Sequence, residues 1–278
     1  MFAALKEKIE DLSKLQPSDY PEDAAKTFLE FRELLGQGKI RAAEYTDGAW
    51  TVNTWVKEGI LLGFSLGKLV DYSPNKSFRY FDKDTYPLKN ITIEDEVRIV
   101  PGGTSIREGA FVAKGVVIMP PAYVNVGAYI DEDTMIDSHA LVGSCAQVGK
   151  NVHISAAAQV GGVLEPVRAL PVIIEDNVIL GGNTGIYEGT IVHSGAVIAA
   201  GSILTSGIKI YDLVNENIIS LNDEGILEIP ENAVIVPGGR KKEGKFAEEH
   251  AISIYSPIII KYRDAKTDSS TNLEDILR

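Results

Sequence analysis

The chain has 278 residues, of which 45% are hydrophobic and 24% charged, a composition typical of a folded globular protein. Its net charge of −12 argues against a nucleic-acid partner, because phosphate binding requires clustered basic side chains. No apolar run approaches the roughly 18 residues that cross a bilayer, and a single cysteine, Cys145, excludes an intramolecular disulfide. We therefore expect a cytoplasmic protein with no membrane partner.

Residues 1–88 are predicted to form a mainly helical N-terminal domain. Apolar residues recur at helical spacing in three stretches, 5–12, 24–35 and 55–64. Charged residues interrupt the first stretch, so it does not have the pattern of a signal peptide. Between the second and third stretches, residues 42–52 have the alternation and turn residues of a β-hairpin.

The strongest pattern in the sequence is an aliphatic residue at every sixth position. It runs without a miss through ten positions, breaks, and resumes for seven more. A small or β-branched residue stands two positions before most of them. The aliphatic positions are Ile106, Val112, Ile118, Val124, Ile130, Ile136, Val142, Val148, Ile154 and Val160, then Ile174, Leu180, Ile186, Val192, Ile198, Leu204 and Ile210.

A period of six fits neither an α-helix nor an ordinary amphipathic strand. A short fixed period indicates a solenoid, in which each coil stacks on the one before it. Three hexads per coil form a triangular prism, with one short strand per face and the aliphatic residue inside. We therefore predict a mainly β fold, a left-handed parallel β-helix, over residues 89–212. Fourteen residues separate Val160 from Ile174, one hexad plus eight, which predicts an inserted loop near residues 164–171.

The hexads are expected to end at Ile210, so residues 213–278 are predicted to form a small β extension. Short strands are expected near Ile218, Ala233–Val236 and Ser256–Tyr262. A basic stretch in this extension, residues 238–245, is predicted to be a loop. Because the flat walls of such a prism favour self-association, we expect a homotrimer with closed rotational symmetry.

Several segments resemble tetrahydrodipicolinate N-succinyltransferases, a family of hexapeptide-repeat acyltransferases. The likeness covers essentially the whole chain from residue 42 onward, and its central motif is far more specific than the hexads alone. The matching segments are Gly127–Glu132, Thr134–Asp137, Val142–His153, Gly161–Pro166 and Ile173–Asn177, with weaker likeness at Arg79–Asp82 and Lys261–Thr267.

This resemblance implies a CoA-dependent N-acyltransferase of lysine and diaminopimelate biosynthesis. The family transfers succinyl from succinyl-CoA to tetrahydrodipicolinate, a dicarboxylate, and gives N-succinyl-2-amino-6-oxopimelate. It also implies an acceptor site between neighbouring subunits and a CoA arm along the outer wall of the β-helix. Succinyl-CoA is thus the expected cosubstrate.

Two residues match family positions that bind the acceptor. Asp137 matches an aspartate that holds the amino group, and a carboxylate can both orient an ammonium and accept its proton. Arg98 matches an arginine that pairs with a substrate carboxylate, for which a planar guanidinium is suited. The alternatives are a solvated corner aspartate and an exposed strand arginine.

The chain departs from the family at a glutamate often given a catalytic role, where it has Gly185. Glu188, three residues on, is a candidate replacement. His139 is another candidate base, since a histidine pKa lies near neutrality. His153 is expected to line the groove and Ser155, two residues on, to bind substrate. The general base therefore stays open among Asp137, Glu188, His139 and a bound water.

Pantetheine is an amide chain, so backbone amides of the later coils are expected to bind CoA. The candidates are Ala199, Ala200 and Gly201, together with the cations Arg240, Lys241 and Lys242 for its phosphates. The histidines are widely scattered, so no metal site is expected.

Two alternatives to the succinyltransferase remain. One is a related N-acetyltransferase that acts on tetrahydrodipicolinate or another amine. The other is a non-catalytic trimeric scaffold. The choice of acyl donor depends on a cation near the acyl terminus, which the sequence alone does not locate.

Overall fold

A computed structural model describes residues 2–263 of the chain. The N-terminal part combines three helices with two short hairpins. Its elements are α1 (Ala3–Leu12), a 3₁₀ turn (Pro17–Asp19), α2 (Ala24–Gly36), β1 (Ala43–Thr46), β2 (Ala49–Val52), α3 (Thr54–Leu66), β3 (Leu69–Asp71) and β4 (Phe81–Lys83).

Helices occupy all three stretches whose periodicity predicted them. Their apolar faces meet around Phe28, Phe31 and Trp55, which are all buried. Val126 and Cys145, from the second and third coils of the β-helix, belong to the same cluster, so the helices pack directly on the β-helix. None of the helices within residues 2–263 has the length and apolar character needed to cross a membrane.

The predicted β-hairpin is present as β1 and β2. It closes through a two-residue turn, Asp47–Gly48, whose φ angles are 53° and 87°. Both angles lie in the left-handed region that such tight hairpin turns require, and aspartate followed by glycine tolerates it best.

After a 3₁₀ turn (Ile93–Asp95), seventeen two-residue strands follow. They are β5 (Arg98–Ile99), β6 (Ser105–Ile106), β7 (Phe111–Val112), β8 (Val117–Ile118), β9 (Tyr123–Val124), β10 (Tyr129–Ile130), β11 (Met135–Ile136), β12 (Leu141–Val142), β13 (Gln147–Val148), β14 (His153–Ile154), β15 (Gln159–Val160), β16 (Ile173–Ile174), β17 (Ile179–Leu180), β18 (Gly185–Ile186), β19 (Ile191–Val192), β20 (Val197–Ile198) and β21 (Ile203–Leu204).

Each strand from β5 to β18 pairs in parallel with the strand three further along the chain, which defines three faces. The first face runs from β5 through β8, β11, β14 and β17 to β20. The second face runs from β6 to β21, and the third from β7 to β19. All seventeen predicted aliphatic residues lie in one core cluster, none more than 8% exposed. The predicted parallel β-helix is therefore confirmed.

The inserted segment lies between β15 and β16, across residues 161–172, and contains the predicted loop. It folds back toward the helices. Leu164 packs against their apolar cluster, and the buried Lys57 of α3 donates a hydrogen bond to Ala169 O at 2.6 Å. The insertion is thus fixed by the N-terminal domain.

The remaining elements begin where the hexads were expected to end. They are β22 (Ile210–Asp212), β23 (Asn217–Ile219), β24 (Glu228–Ile229), β25 (Ala233–Val236), β26 (Gly239–Lys241), α4 (Lys245–Glu249), β27 (Ser253–Tyr255) and β28 (Ile258–Tyr262).

The coils continue beyond Ile210, which corrects the expectation that they stop there. Strand β24 pairs with β19 on the third face, and β25 pairs with β20 on the first. Their inward residues, Ile229 and Ile235, are again six apart and fully buried. Of the weaker matching segment Lys261–Thr267, residues from 264 onward lie outside the described part of the chain.

The basic stretch is partly a strand, which corrects its prediction as a loop. Gly239–Lys241 forms β26 and pairs antiparallel with β27. On β27, the Tyr255 hydroxyl accepts a hydrogen bond from the Ile203 backbone N–H at 2.7 Å. Because Ile203 begins the last strand of the second face, the basic hairpin lies at the C-terminal end of that face.

Candidate active site

The structure brings Asp137 and Ser155 together on the first face. Their preceding residues, Ile136 and Ile154, are register partners in β11 and β14, so the two side chains follow on adjacent coils. The Asp137 backbone N–H donates to Ile154 O at 2.8 Å, and its carboxylate accepts the Ser138 N–H at 2.7 Å. Both side chains are half-buried and reach the surface.

Arg98 lies on the same face, exposed, in β5. Strand β8 separates β5 from β11, so Arg98 is two strand spacings, about 10 Å, from the Met135 backbone. His153 is the register partner of Met135 on the next coil and is 7% exposed. The predicted substrate residues Arg98, Asp137 and Ser155 therefore share one face.

The two other candidate bases lie elsewhere. His139 occupies the corner between the first and second faces, exposed and with a left-handed φ of 63°. Glu188 occupies the corner at the opposite edge of the second face. Its carboxylate accepts hydrogen bonds from Ser206 Oγ at 2.6 Å and Ser206 N at 2.8 Å, which lower the pKa of Glu188. Within one chain, Glu188 is not brought to Asp137.

A groove of about 700 Å³ runs over the second face beside the insertion. Tyr187 forms part of its floor, and the Tyr187 hydroxyl donates to Gln159 Oε1 at 2.8 Å. The ring covers Gly185, where an added Cβ would lie 2.5 Å from Tyr187. Sequence reasoning missed Tyr187 and Gln159. Both stand at outward hexad positions, and Gly185, which has no side chain, could have indicated that a neighbouring ring covers this part of the face.

The predicted CoA residues lie near the C-terminal end of the stack. The amides of Ala199 and Gly201 already donate to Ile235 O at 2.8 Å and Gly182 O at 2.9 Å. Those two amides are therefore engaged in coil-to-coil bonds and do not face a ligand, while Ala200 lies exposed between them. Arg240, Lys241 and Lys242 lie on the basic hairpin at the end of the second face.

The third face carries a separate polar cluster that the sequence did not indicate. His193 lies between two carboxylates, with Nδ1 3.2 Å from Glu175 and Nε2 2.9 Å from Glu228. The hydrogen bond to Glu175 contributes most to raising the pKa of His193 to about 9, against burial. Burial opposes ionisation of Glu175, but hydrogen bonds from His193 and Trp50 lower its pKa to about 2.

Metal ligands are not grouped in the part of the chain that the structure describes. No three histidine, cysteine or acidic side chains among residues 2–263 are arranged to hold an ion. The single thiol, Cys145, is fully buried, and burial raises its pKa to about 12. Cys145 is therefore suited to packing and not to nucleophilic attack.

Fold and site together define a hexapeptide-repeat acyltransferase: a parallel β-helix with polar residues on one face and a groove on the next. Two family models match the chain. The model described as tetrahydrodipicolinate N-succinyltransferase N-terminal matches residues 3–66, and the hexapeptide repeat of succinyl-transferase matches residues 171–206.

Curated relatives extend the match to nearly the full length. A 2,3,4,5-tetrahydropyridine-2,6-dicarboxylate N-succinyltransferase from Ralstonia nicotianae is 38% identical over 274 residues, 97% of this chain and 94% of the relative. The protein of the same name from a Psychrobacter species is 38% identical over 279 residues, 99% and 97% of the two chains. The chain belongs to this family, the tetrahydropyridine-dicarboxylate N-succinyltransferases, which confirms the resemblance.

A solved structure supports the fold. The crystal structure of a putative 2,3,4,5-tetrahydropyridine-2-carboxylate N-succinyltransferase from Campylobacter jejuni aligns with a TM-score of 0.57 at 19% sequence identity. The alignment covers 84% of this chain and 62% of the Campylobacter chain. At this identity, the likeness concerns the fold alone.

Proposed function

We propose that this chain transfers the succinyl group of succinyl-CoA to tetrahydrodipicolinate, the activity that the names of its relatives give. The product is N-succinyl-2-amino-6-oxopimelate. The observation that carries this assignment is the single face shared by Asp137, Ser155 and Arg98. Such an arrangement offers a carboxylate and a hydroxyl to an amine, with a guanidinium for a carboxylate further along the same face.

The chemistry requires an unprotonated amine in line with a thioester carbonyl. Water adds across the C=N bond of the cyclic acceptor and opens the ring, which frees the amine and supplies the 6-oxo oxygen of the product. The amine nitrogen then attacks the thioester carbonyl carbon, a C–N bond forms, the C–S bond breaks, and CoA leaves with the proton of the amine as the thiol. Asp137 is placed to orient the amine and accept its proton. His139, on the next corner, is the alternative base. Glu188 is the weaker candidate base, since the hydrogen bonds from Ser206 lower its pKa.

For CoA we propose the second face. The groove beside the insertion extends to Thr205, and Ile203 of the same face is hydrogen-bonded to the basic hairpin. The cations of that hairpin, Arg240, Lys241 and Lys242, would then meet the CoA phosphates, while the pantetheine arm runs along the groove. In a chain with a net charge of −12, a local group of cations is needed to attract a polyanionic cosubstrate.

The handedness and the assembly are also proposals. The hexad repeat and the family favour a left-handed β-helix that forms homotrimers in the cytoplasm, with each site between two subunits. One observation supports a shared site. In one chain, Glu188 and Asp137 lie at opposite edges of the second face. A second copy of the chain packed against that face would bring the Glu188 of one copy close to the Asp137 of the other.

A thiol-release assay with 2-aminopimelate, a stable acyclic mimic of the acceptor, tests the proposal. We expect fast release with succinyl-CoA and little with acetyl-CoA. Release with acetyl-CoA alone would move the chain to the N-acetyltransferases. No thiol release with either donor, together with no thermal stabilisation by CoA, would favour a non-catalytic scaffold.

Asp137→Asn tests the site directly. The amide keeps the shape but accepts no proton, so turnover should fall about 100-fold or more while CoA affinity changes little. Ser138→Ala, one residue along the same corner, serves as the matched control and should retain most of the turnover. Equal loss of turnover and CoA affinity in Asp137→Asn would remove Asp137 from the mechanism.

A further inference from the structure

A second cavity, of about 580 Å³, lies on the third face under the β1–β2 hairpin. Its walls combine aromatic side chains from the hairpin, Tyr45 and Trp50, with polar groups from the coils. The cavity is separate from the groove of the second face, and the proposed acyl transfer uses none of its residues. Its volume falls within the range of small-molecule sites.

Arg41 is held rigidly at this cavity. Its Nε donates to Gln147 Oε1 at 2.9 Å, and its guanidinium lies 3.5 Å from the centre of the Tyr129 ring. Gln147 is only 1% exposed and is fixed in turn by bonds to the carbonyls of Cys145 and Ala146. A guanidinium held in this way is preorganised, so little conformational entropy is lost when a ligand binds to it.

The outer edge of that guanidinium is unused. Among residues 2–263, its two terminal nitrogens have no hydrogen-bond acceptor and no carboxylate in ion-pair contact. Two parallel N–H donors that face a cavity match a carboxylate, which accepts both. Arg41 therefore supplies an anchor for one carboxylate group.

The rest of the cavity has the opposite charge. Asp131, Asp176 and Glu231 line it, and none of the three forms an ion pair with another described residue. His193 does not add a further cation for a ligand, because its ring is already paired with the carboxylates of Glu175 and Glu228. Lys150 acts electrostatically on Asp131 and Asp176, but its ion pair with Glu132 balances its charge. Among the described residues, Arg41 thus faces three carboxylates that form no ion pair, and a ligand that complements both must carry more ammonium groups than carboxylates.

We propose that this cavity binds a free α-amino acid with a cationic side chain. Its carboxylate pairs with Arg41, and its ammonium groups meet Asp131 and the more exposed carboxylates Asp176 and Glu231. The aromatic walls of Tyr45 and Trp50 enclose the aliphatic part of the side chain. This inference does not depend on the acyl transfer proposed above.

Calorimetric titration of the full chain with L-ornithine tests the proposal. We expect saturable binding that is at least about tenfold weaker for L-norvaline, which lacks the side-chain ammonium, and for putrescine, which lacks the carboxylate. Arg41→Lys keeps the charge and loses the paired donors, so it should weaken binding about tenfold. Asp131→Asn should do the same.

Asp133→Asn is the matched control and should leave ornithine affinity unchanged, since Asp133 is exposed, does not line the cavity and has a left-handed φ of 57° that asparagine tolerates. Circular dichroism confirms that each variant is folded. Three results would overturn the proposal: no saturation at millimolar ornithine, equal affinity in Asp131→Asn and wild type, or loss of binding in Asp137→Asn. The last would place ornithine in the acyl-transfer site instead.

Discussion

The coils and the segments packed against them are built in different ways. Each coil strand contacts the coils before and after it, so the same aliphatic contact is repeated along the whole stack. Besides the apolar cluster of the helices, the attached segments are positioned by single polar contacts between distant residues. Arg41 bonds Gln147, 106 residues away, Trp50 bonds Glu175 at 125, and Lys57 bonds Ala169 at 112. The repeated contacts give stability, and the single ones shape the cavities.

If this division holds, the largest effect on stability should come from the interior of a coil. Ile154 is fully buried in the stack, so Ile154→Ala should lower the free energy of unfolding by about 2–5 kcal/mol through lost burial and a cavity. Urea unfolding measures the change. Ile203→Ala, at an outward position that is 38% exposed, should cost no more than about 0.5 kcal/mol. Equal losses would contradict the division.

The basic hairpin should affect substrate binding and leave stability unchanged. Replacing Arg240, Lys241 and Lys242 together by alanine should raise the KM for succinyl-CoA roughly tenfold, with kcat little changed, because phosphate contacts are lost. Added salt should shrink the difference from wild type.

Three exposed lysines of the N-terminal part, Lys8, Lys14 and Lys26, provide the control for net charge. Their triple alanine variant has the same charge as the hairpin variant but leaves the second face intact. A similar rise in KM in both variants would assign the effect to the overall field and not to the hairpin.

Lys57 tests a single long-range contact. Lys57→Met keeps the volume but loses the bond to Ala169, which lines the groove. We expect the KM for succinyl-CoA to rise about threefold to tenfold as the insertion shifts, because this groove is the proposed CoA site. Thermal stability should change little, since burying a lysine already opposes folding and lowers its pKa. A lower Tm with an unchanged KM would show that the Lys57–Ala169 contact stabilises the fold and does not position the groove.

The smallest effect concerns pH. The pKa of His193 is raised to about 9 in the folded chain, so its stabilisation is fully present below its unfolded pKa and is lost as pH rises toward 9. The Tm difference between wild type and His193→Gln should therefore be larger near about pH 6 than near about pH 9.5. A difference independent of pH would show that the charge of His193 contributes nothing.

The same division explains how much the sequence predicted. The hexads predicted every residue of the β-helix core between Ile106 and Ile210 that lies at a sixth position, because an inward position depends only on its own coil. The continuation at Ile229 and Ile235 was missed, since nineteen residues separate Ile210 from Ile229 and break the phase. Asp137 and Ser155 were both predicted to bind substrate, and their spacing of eighteen residues, one full coil, explains why the structure has them on one face. The pairing of Arg41 with Gln147 had no local pattern, so it could not be predicted.

The central claim is that acyl transfer takes place at the first and second faces, between Asp137 and the basic hairpin. A crystal structure of the complex with CoA and 2-aminopimelate tests it most directly. We predict pantetheine along the groove that contains Tyr187, phosphates against Arg240 or Lys242, and the acceptor nitrogen within hydrogen-bond distance of the Asp137 carboxylate. CoA bound along the third face, or an acceptor remote from Asp137, would contradict it.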